Sequence, residues 1–174
     1  MTSETELQQH QCCFTGHRPE KLKEPETEII AGLRREIISA IDDGFVTFIS
    51  GMARGVDIWA AEIVLSLRSE YSSIRLICAC PYEGFELQWK EEWQRRYKAI
   101  LDNADTVEYI SPRYSRSCFQ TRNEWMVNHS ARVIAVYNGE SGGTRNTIVY
   151  AEKHGVDVRH VLKFKMEALK VSEL

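Results

Sequence analysis

Short apolar runs alternate along the chain with longer stretches whose apolar positions recur at helical spacing. "CCFTG" (12–16), "FVTFIS" (45–50) and "IRLICAC" (74–80) are rich in aromatic, β-branched and sulfur-bearing residues and predict strands. "DTVEYI" (105–110), "RVIAVYN" (132–138) and "VDVRHVL" (156–162) predict three more, the first of them weaker. Ile29, Ile30, Leu33, Ile37, Ile38 and Ile41 form one helical stripe, which Gly44 stops. Residues 55–69 predict a helix with Ala60, Ala61, Val64 and Leu65 inward. In "FELQWKEEWQRRYKAIL", Trp89, Trp93, Tyr97 and Leu101 recur every fourth residue, which predicts a core-facing helix stripe rather than an aromatic ligand box. A helix over 119–131 and a short one in "TIVYAEKHG", closed by Gly155, complete the pattern.

Strands separated by helix-length spacers require crossover connections, and these place helices on both faces of a mostly parallel sheet. The expected architecture is therefore a single doubly wound α/β domain over residues 11–165. A flexible tail (1–10) precedes it and a second tail (166–174) follows it. The 174 residues suffice for one sizeable core.

Composition sharpens the picture in three places. With 22 Lys+Arg against 25 Asp+Glu the formal charge is −3, which lacks the basic excess of a general nucleic-acid coat. The N-terminus, "MTSETELQQH", has neither a basic nor an apolar signal region, and no apolar run approaches a membrane span. A cytoplasmic protein without membrane contact is the expectation. The five cysteines include no C-x-x-C and no zinc-finger spacing, so they read as small core residues and no metal site is expected.

Open parallel sheets bind ligands beyond the carboxyl ends of their strands, and three such ends carry glycine beside polar residues. After the first strand come Gly16, His17, Arg18 and Pro19. Gly16 permits close approach, Arg18 suits a phosphate or carboxylate, and His17 can bond a ligand or move a proton. A solvated turn is the plain alternative. After the second comes "SGMARGVD", where Ser50 can cap, Gly51 and Gly55 keep the backbone bare, and Arg54 beside helix amides would hold an anion. Asp57 either stabilises the helix dipole or bonds a ribose hydroxyl. After the fifth comes "NGESGGTRNT", in which Gly142, Gly143, Thr144 and Thr147 suit a phosphate nest or a mobile surface loop. Pro81 and Tyr82 end the third strand, and Arg122 with Asn123 opens a later helix. Tyr82 could stack on a base or cover the sheet edge, and Arg122 and Asn123 could face the cleft or be ordinary surface.

"TGHRP", "SGMARGVDIWAAE", "CPYEGFELQW" and "RNEWMV", in that order over roughly residues 12–162, resemble the YpsA-like family of the SLOG (Smf/DprA–LOG) superfamily. The resemblance implies a Rossmann-like fold and a nucleotide-like ligand such as a nucleoside phosphate, ADP-ribose or an NAD derivative. No cofactor is expected to be required, and the resemblance makes a homodimer the candidate assembly. "SGMARGVD" is similar to a segment of the DprA branch. "GGTRNT" is similar to the second glycine motif of the LOG branch, but Tyr150 and Asn146 stand where that motif has its catalytic Glu and a Gly. Binding or sensing of a nucleotide is the favoured reading. A phosphoribohydrolase or NAD/ADP-ribose glycohydrolase is the alternative, drawing on Asp57, Glu62, Glu83 or Glu86. DprA-like single-stranded DNA binding is the second alternative, although the acidic balance makes nucleic acid an unexpected partner.

Overall fold

The computed structural model describes residues 3–162. Six strands form one parallel sheet in the order β4-β3-β2-β1-β5-β6. They are β1 (Gln11–Gly16), β2 (Thr47–Ser50), β3 (Arg75–Cys80), β4 (Thr106–Tyr109), β5 (Arg132–Val136) and β6 (Asp157–His160). Each follows its predicted run, with ends shifted by no more than two residues. The helices are α1 (Glu4–Gln8), α2 (Glu26–Asp42), α3 (Val56–Leu67), α4 (Glu91–Asn103), α5 (Cys118–Asn128) and α6 (Gly143–Lys153). The architecture is the doubly wound α/β fold expected from the alternation.

Period two explains the two cores. Side chains alternate across a strand, so neighbouring Cys12 and Cys13 belong to opposite faces. Cys12, Phe14, Phe48, Leu76 and Ile134 pack with α2, α3 and α4. Cys13, Ile49, Ala79 and Val133 pack with Met126 and Val127 of α5 and Ala151 of α6. All five cysteines are buried free thiols. Burial pushes the Cys13 thiol up to about 12 and the Cys80 thiol to about 11, so neither is an available thiolate near neutral pH.

Two segments differ from expectation. Residues 4–8, expected within a loose tail, form α1, capped reciprocally by Ser3 and Glu6 and tied back by Gln8, whose Nε2 donates to the Ser130 carbonyl at 3.2 Å. The aromatic stripe over 85–101 is not one helix. A 3₁₀ turn at Phe85–Gln88 follows Gly84, which is left-handed at φ +88°, and Trp89 is extended before α4 starts at Glu91. Tyr97 is buried in the core as read, while Trp89 turns to meet Phe85 edge-on at 5.0 Å. The second expected tail, 166–174, lies outside the described residues. No described helix is long and apolar enough to cross a membrane.

Candidate functional site

Strand order reverses between β1, whose next neighbour in sequence is β2 on one side, and β5 on the other. A crevice opens at such a switch point because the two connecting segments leave in opposite directions. Here it is a cleft of about 1170 Å³ running along the carboxyl edge of the sheet. From the β5 side it passes Gly143 and Thr144, then His17 and Arg18 after β1, then Arg54 and Asp57 after β2. It ends at Tyr82, Phe85 and Trp89 after β3, with Tyr114 and Phe119 as an outer lip.

The first strand meets the cleft through a tight contact. A Cβ on Gly16 would lie 2.5 Å from Val56, so glycine lets β1 end against the start of α3. His17 is 6% exposed, stacks on Tyr137 at 5.7 Å, and has no partner for its Nε2. Burial, with Lys21 nearby, lowers its pKa below the usual value, so it is neutral at pH 7. Arg18 is exposed on the cleft wall.

The loop after β2 is held by internal bonds. Ser50 is fully buried, and its Oγ donates to the Asp57 carbonyl at 2.8 Å and accepts from the Met52 amide at 3.2 Å. Met52 sits at φ +61°, a conformation that side chains other than glycine rarely adopt. Arg54 pairs with Glu20 at 2.8 Å. Gly55, at φ +91°, starts α3 without a side-chain cap, as Gly142 does for α6. Both helices therefore leave first-turn amides without a side-chain cap at the cleft edge, the condition that favours an anion.

Beneath the cleft lies a buried charge pair. Asp57 and Arg122 are 6% and 5% exposed and flank Gly51, where a Cβ would come within 2.9 Å of Asp57 Oδ2 and 3.1 Å of the Arg122 guanidinium. Burial raises the Asp57 carboxyl from its ordinary 3.8 to about 6, against the pull of Arg122 and the Ala53 amide, which donates to Oδ2 at 3.2 Å. Arg122 donates to the Gly51 carbonyl, and from Nε to Asn123 Oδ1 at 2.9 Å. Burial pulls its pKa down, and Asp57 opposes that.

Of the residues singled out from the sequence, Gly16, His17, Arg18, Arg54, Asp57, Tyr82, Arg122, Asn123, Gly143 and Thr144 line the cleft. Ser50, Gly51, Gly55, Pro81, Gly142 and Thr147 are not among the lining residues. Thr147, for example, spends its hydroxyl on the Gly143 carbonyl at 2.9 Å. Sequence reasoning missed Lys21 and most of the aromatic wall. Among the four carboxylates weighed for hydrolysis, Asp57 alone lines the cleft, while Glu62 pairs with Arg96 at 2.6 Å on the α3–α4 face. Tyr150, at the catalytic-Glu position of the LOG motif, donates to Asn128 Oδ1 at 2.8 Å and is not among the cleft-lining residues.

A UPF0398 protein of Bacillus thuringiensis (strain Al Hakam) is 33% identical over 147 residues, 80% of each chain, and one of Bacillus cereus (strain AH187) matches to the same extent. Among solved structures, DNA processing protein A (DprA) from Streptococcus pneumoniae superposes with a TM-score of 0.61 at 20% identity, over 88% of this chain and 50% of that one. The Helicobacter pylori DprA gives 0.62 at 19%, over 90% of this chain and 66% of that one. The chain thus spans half of one DprA and about two thirds of the other, and the likeness is one of fold. The Helicobacter pylori structure concerns a single-stranded DNA binding mode. That corrects the reading of nucleic acid as an unexpected partner. Net charge is a sum over the whole surface, whereas binding depends on the local charge of one cleft. A profile of the YspA SLOG family matches residues 12–174, and with a relative 33% identical over four fifths of its length the chain belongs to that family.

Proposed function

We propose that the cleft binds a nucleotide, phosphate toward the β1 and β5 ends and base against the aromatic wall after β3. The observation that carries this reading is the separation of chemistry along one continuous cleft. Arg18 and the uncapped start of α6 stand at one end, and Tyr82, Phe85 and Trp89 at the other. Phosphate gains charge-assisted bonds at the first end, and a base gains stacking area at the second. The test is a thermal-shift screen against nucleoside phosphates, ADP-ribose and NAD, followed by calorimetry. A ligand that binds only the folded chain raises its apparent stability. Saturable binding supports the reading, and no binding by any of them at millimolar concentration rejects it.

A second reading is single-stranded DNA binding. It is supported by the fold shared with DprA and by the lip of the cleft, where Tyr114 is 62% and Phe119 40% exposed, with Arg113 and Arg116 exposed beside them. Aromatic faces interleaved with cations suit a single strand. Fluorescence anisotropy of a labelled oligothymidylate decides it. Affinity that falls steeply with salt supports it, and an unchanged signal at low salt removes it.

A further inference from the structure

The order of strand ends along the cleft also places the sugar. The aromatic wall follows β3, Asp57 follows β2, His17 and Arg18 follow β1, and the start of α6 follows β5. Neighbouring strands lie about 4.8 Å apart, so three steps give the edge a span of roughly 14 Å from base wall to phosphate end. Asp57 stands one step from the wall and two from α6. The part of a nucleotide next to its base is the sugar, and the hydroxyl nearest the glycosidic carbon is the 2′.

Asp57 is the one acidic residue among the described residues that line the cleft. The Ala53 amide holds its Oδ2, while its Oδ1 has no hydrogen-bond partner. A carboxylate oxygen only accepts, so what satisfies it must donate, which a phosphate oxygen does not do. The nearby Arg122 already donates to Gly51 and Asn123. Oδ1 is buried and keeps an unspent acceptor on a residue that lines the cleft. The terminal torsion of a carboxyl is broad, so its two oxygens can adjust to a bound hydroxyl. Gly51 leaves room for the carboxyl to sit there.

We propose that Asp57 accepts a hydrogen bond from the 2′-hydroxyl of the bound nucleotide, so that the cleft selects ribonucleotides over 2′-deoxyribonucleotides. This rests on the nucleotide reading above. A site built around a substrate hydroxyl discriminates strongly against the analogue that lacks it, because the buried acceptor is then left unpaired.

Calorimetry with adenosine 5′-monophosphate and its 2′-deoxy analogue on the unaltered protein tests it. The expected result is at least tenfold tighter binding of the ribonucleotide. In Asp57→Asn that ratio falls, because a neutral amide oxygen is a weaker acceptor than a carboxylate. Equal binding of the two by the unaltered protein overturns the inference and leaves nucleotide binding standing. No binding of either overturns the inference, and extending that failure across the wider nucleotide panel removes the nucleotide reading as well. The first comparison needs no variant, so it decides the matter even where Asp57→Asn folds poorly.

Discussion

Burial holds a proton on Asp57 that the unfolded chain would release. Its carboxyl rises from 3.8 to about 6, so between those values the native chain binds more protons than the unfolded one. Stability from this group is therefore greatest below about pH 4 and falls as pH rises toward 6, by roughly 3 kcal/mol for a shift of about two units. Urea denaturation at pH 4 to 7 should show the stability difference between the unaltered protein and Asp57→Asn changing across that window, and parallel profiles would contradict it. Glycine makes the opposite kind of demand. Gly16→Ala forces a methyl to 2.5 Å from Val56, and overpacking of that sort costs about 1–3 kcal/mol. The double variant Gly16→Ala/Val56→Ala should recover part of that loss relative to the sum of the single changes, read by denaturant midpoints. The Gly16-His17-Arg18 cluster was legible because glycine and charge at a strand end are visible in the chain. The Asp57–Arg122 pair was not, since its members lie far apart in sequence and only burial makes their charges felt.

Strands and helices were legible where one periodicity held throughout. Every strand end in the described residues falls within two positions of its predicted run. The stretch 85–101 misled because a 3₁₀ turn, an extended Trp89 and a helix together keep a four-residue spacing without a continuous helix. The start of β5 shows how elements are fastened. Arg132 is buried over the Phe45 ring at 4.6 Å and pairs with Asp43 at the end of α2 at 2.9 Å and with Asp157 of β6 at 3.3 Å. The two aspartates stay half exposed, so removing the arginine leaves charges that water can solvate, and the loss is mainly packing. Arg132→Ala should lower stability by about 2 kcal/mol in urea melts. A change below about 0.5 kcal/mol would mean that this junction contributes little.

Across the molecule, the cleft joins an anion-favouring end to an aromatic end, and substitutions should separate them. Arg18→Ala should weaken adenosine 5′-monophosphate about tenfold in calorimetry, the loss of one charge-assisted bond. Tyr114→Ala/Phe119→Ala should cut oligothymidylate binding at least tenfold, since stacking contributes about 1–3 kcal/mol per base. Mononucleotide binding should fall less than oligothymidylate binding, because Phe85 and Trp89 stay in place although Tyr82 loses its edge-on neighbours at 6.0 and 6.4 Å. Equal losses for both ligands would mean that wall and lip form one surface.

The chain's own pattern established the alternation of strands and helices, the two-faced sheet and the three glycine-bearing strand ends, and its ordered motifs pointed to the family. These are local properties: periodicity, turn chemistry and short motifs act over a few residues and need no fold to be read. Which strand ends become neighbours follows from sheet order, and so does the sequence of base wall, Asp57 and phosphate end along the cleft. The turn of Trp89 toward the cleft, the burial that shifts Asp57 and the orphan oxygen it keeps depend on contacts between segments up to about 70 residues apart, such as Gly51 with Arg122. Desolvation and close packing act through space, and a linear reading cannot sum them.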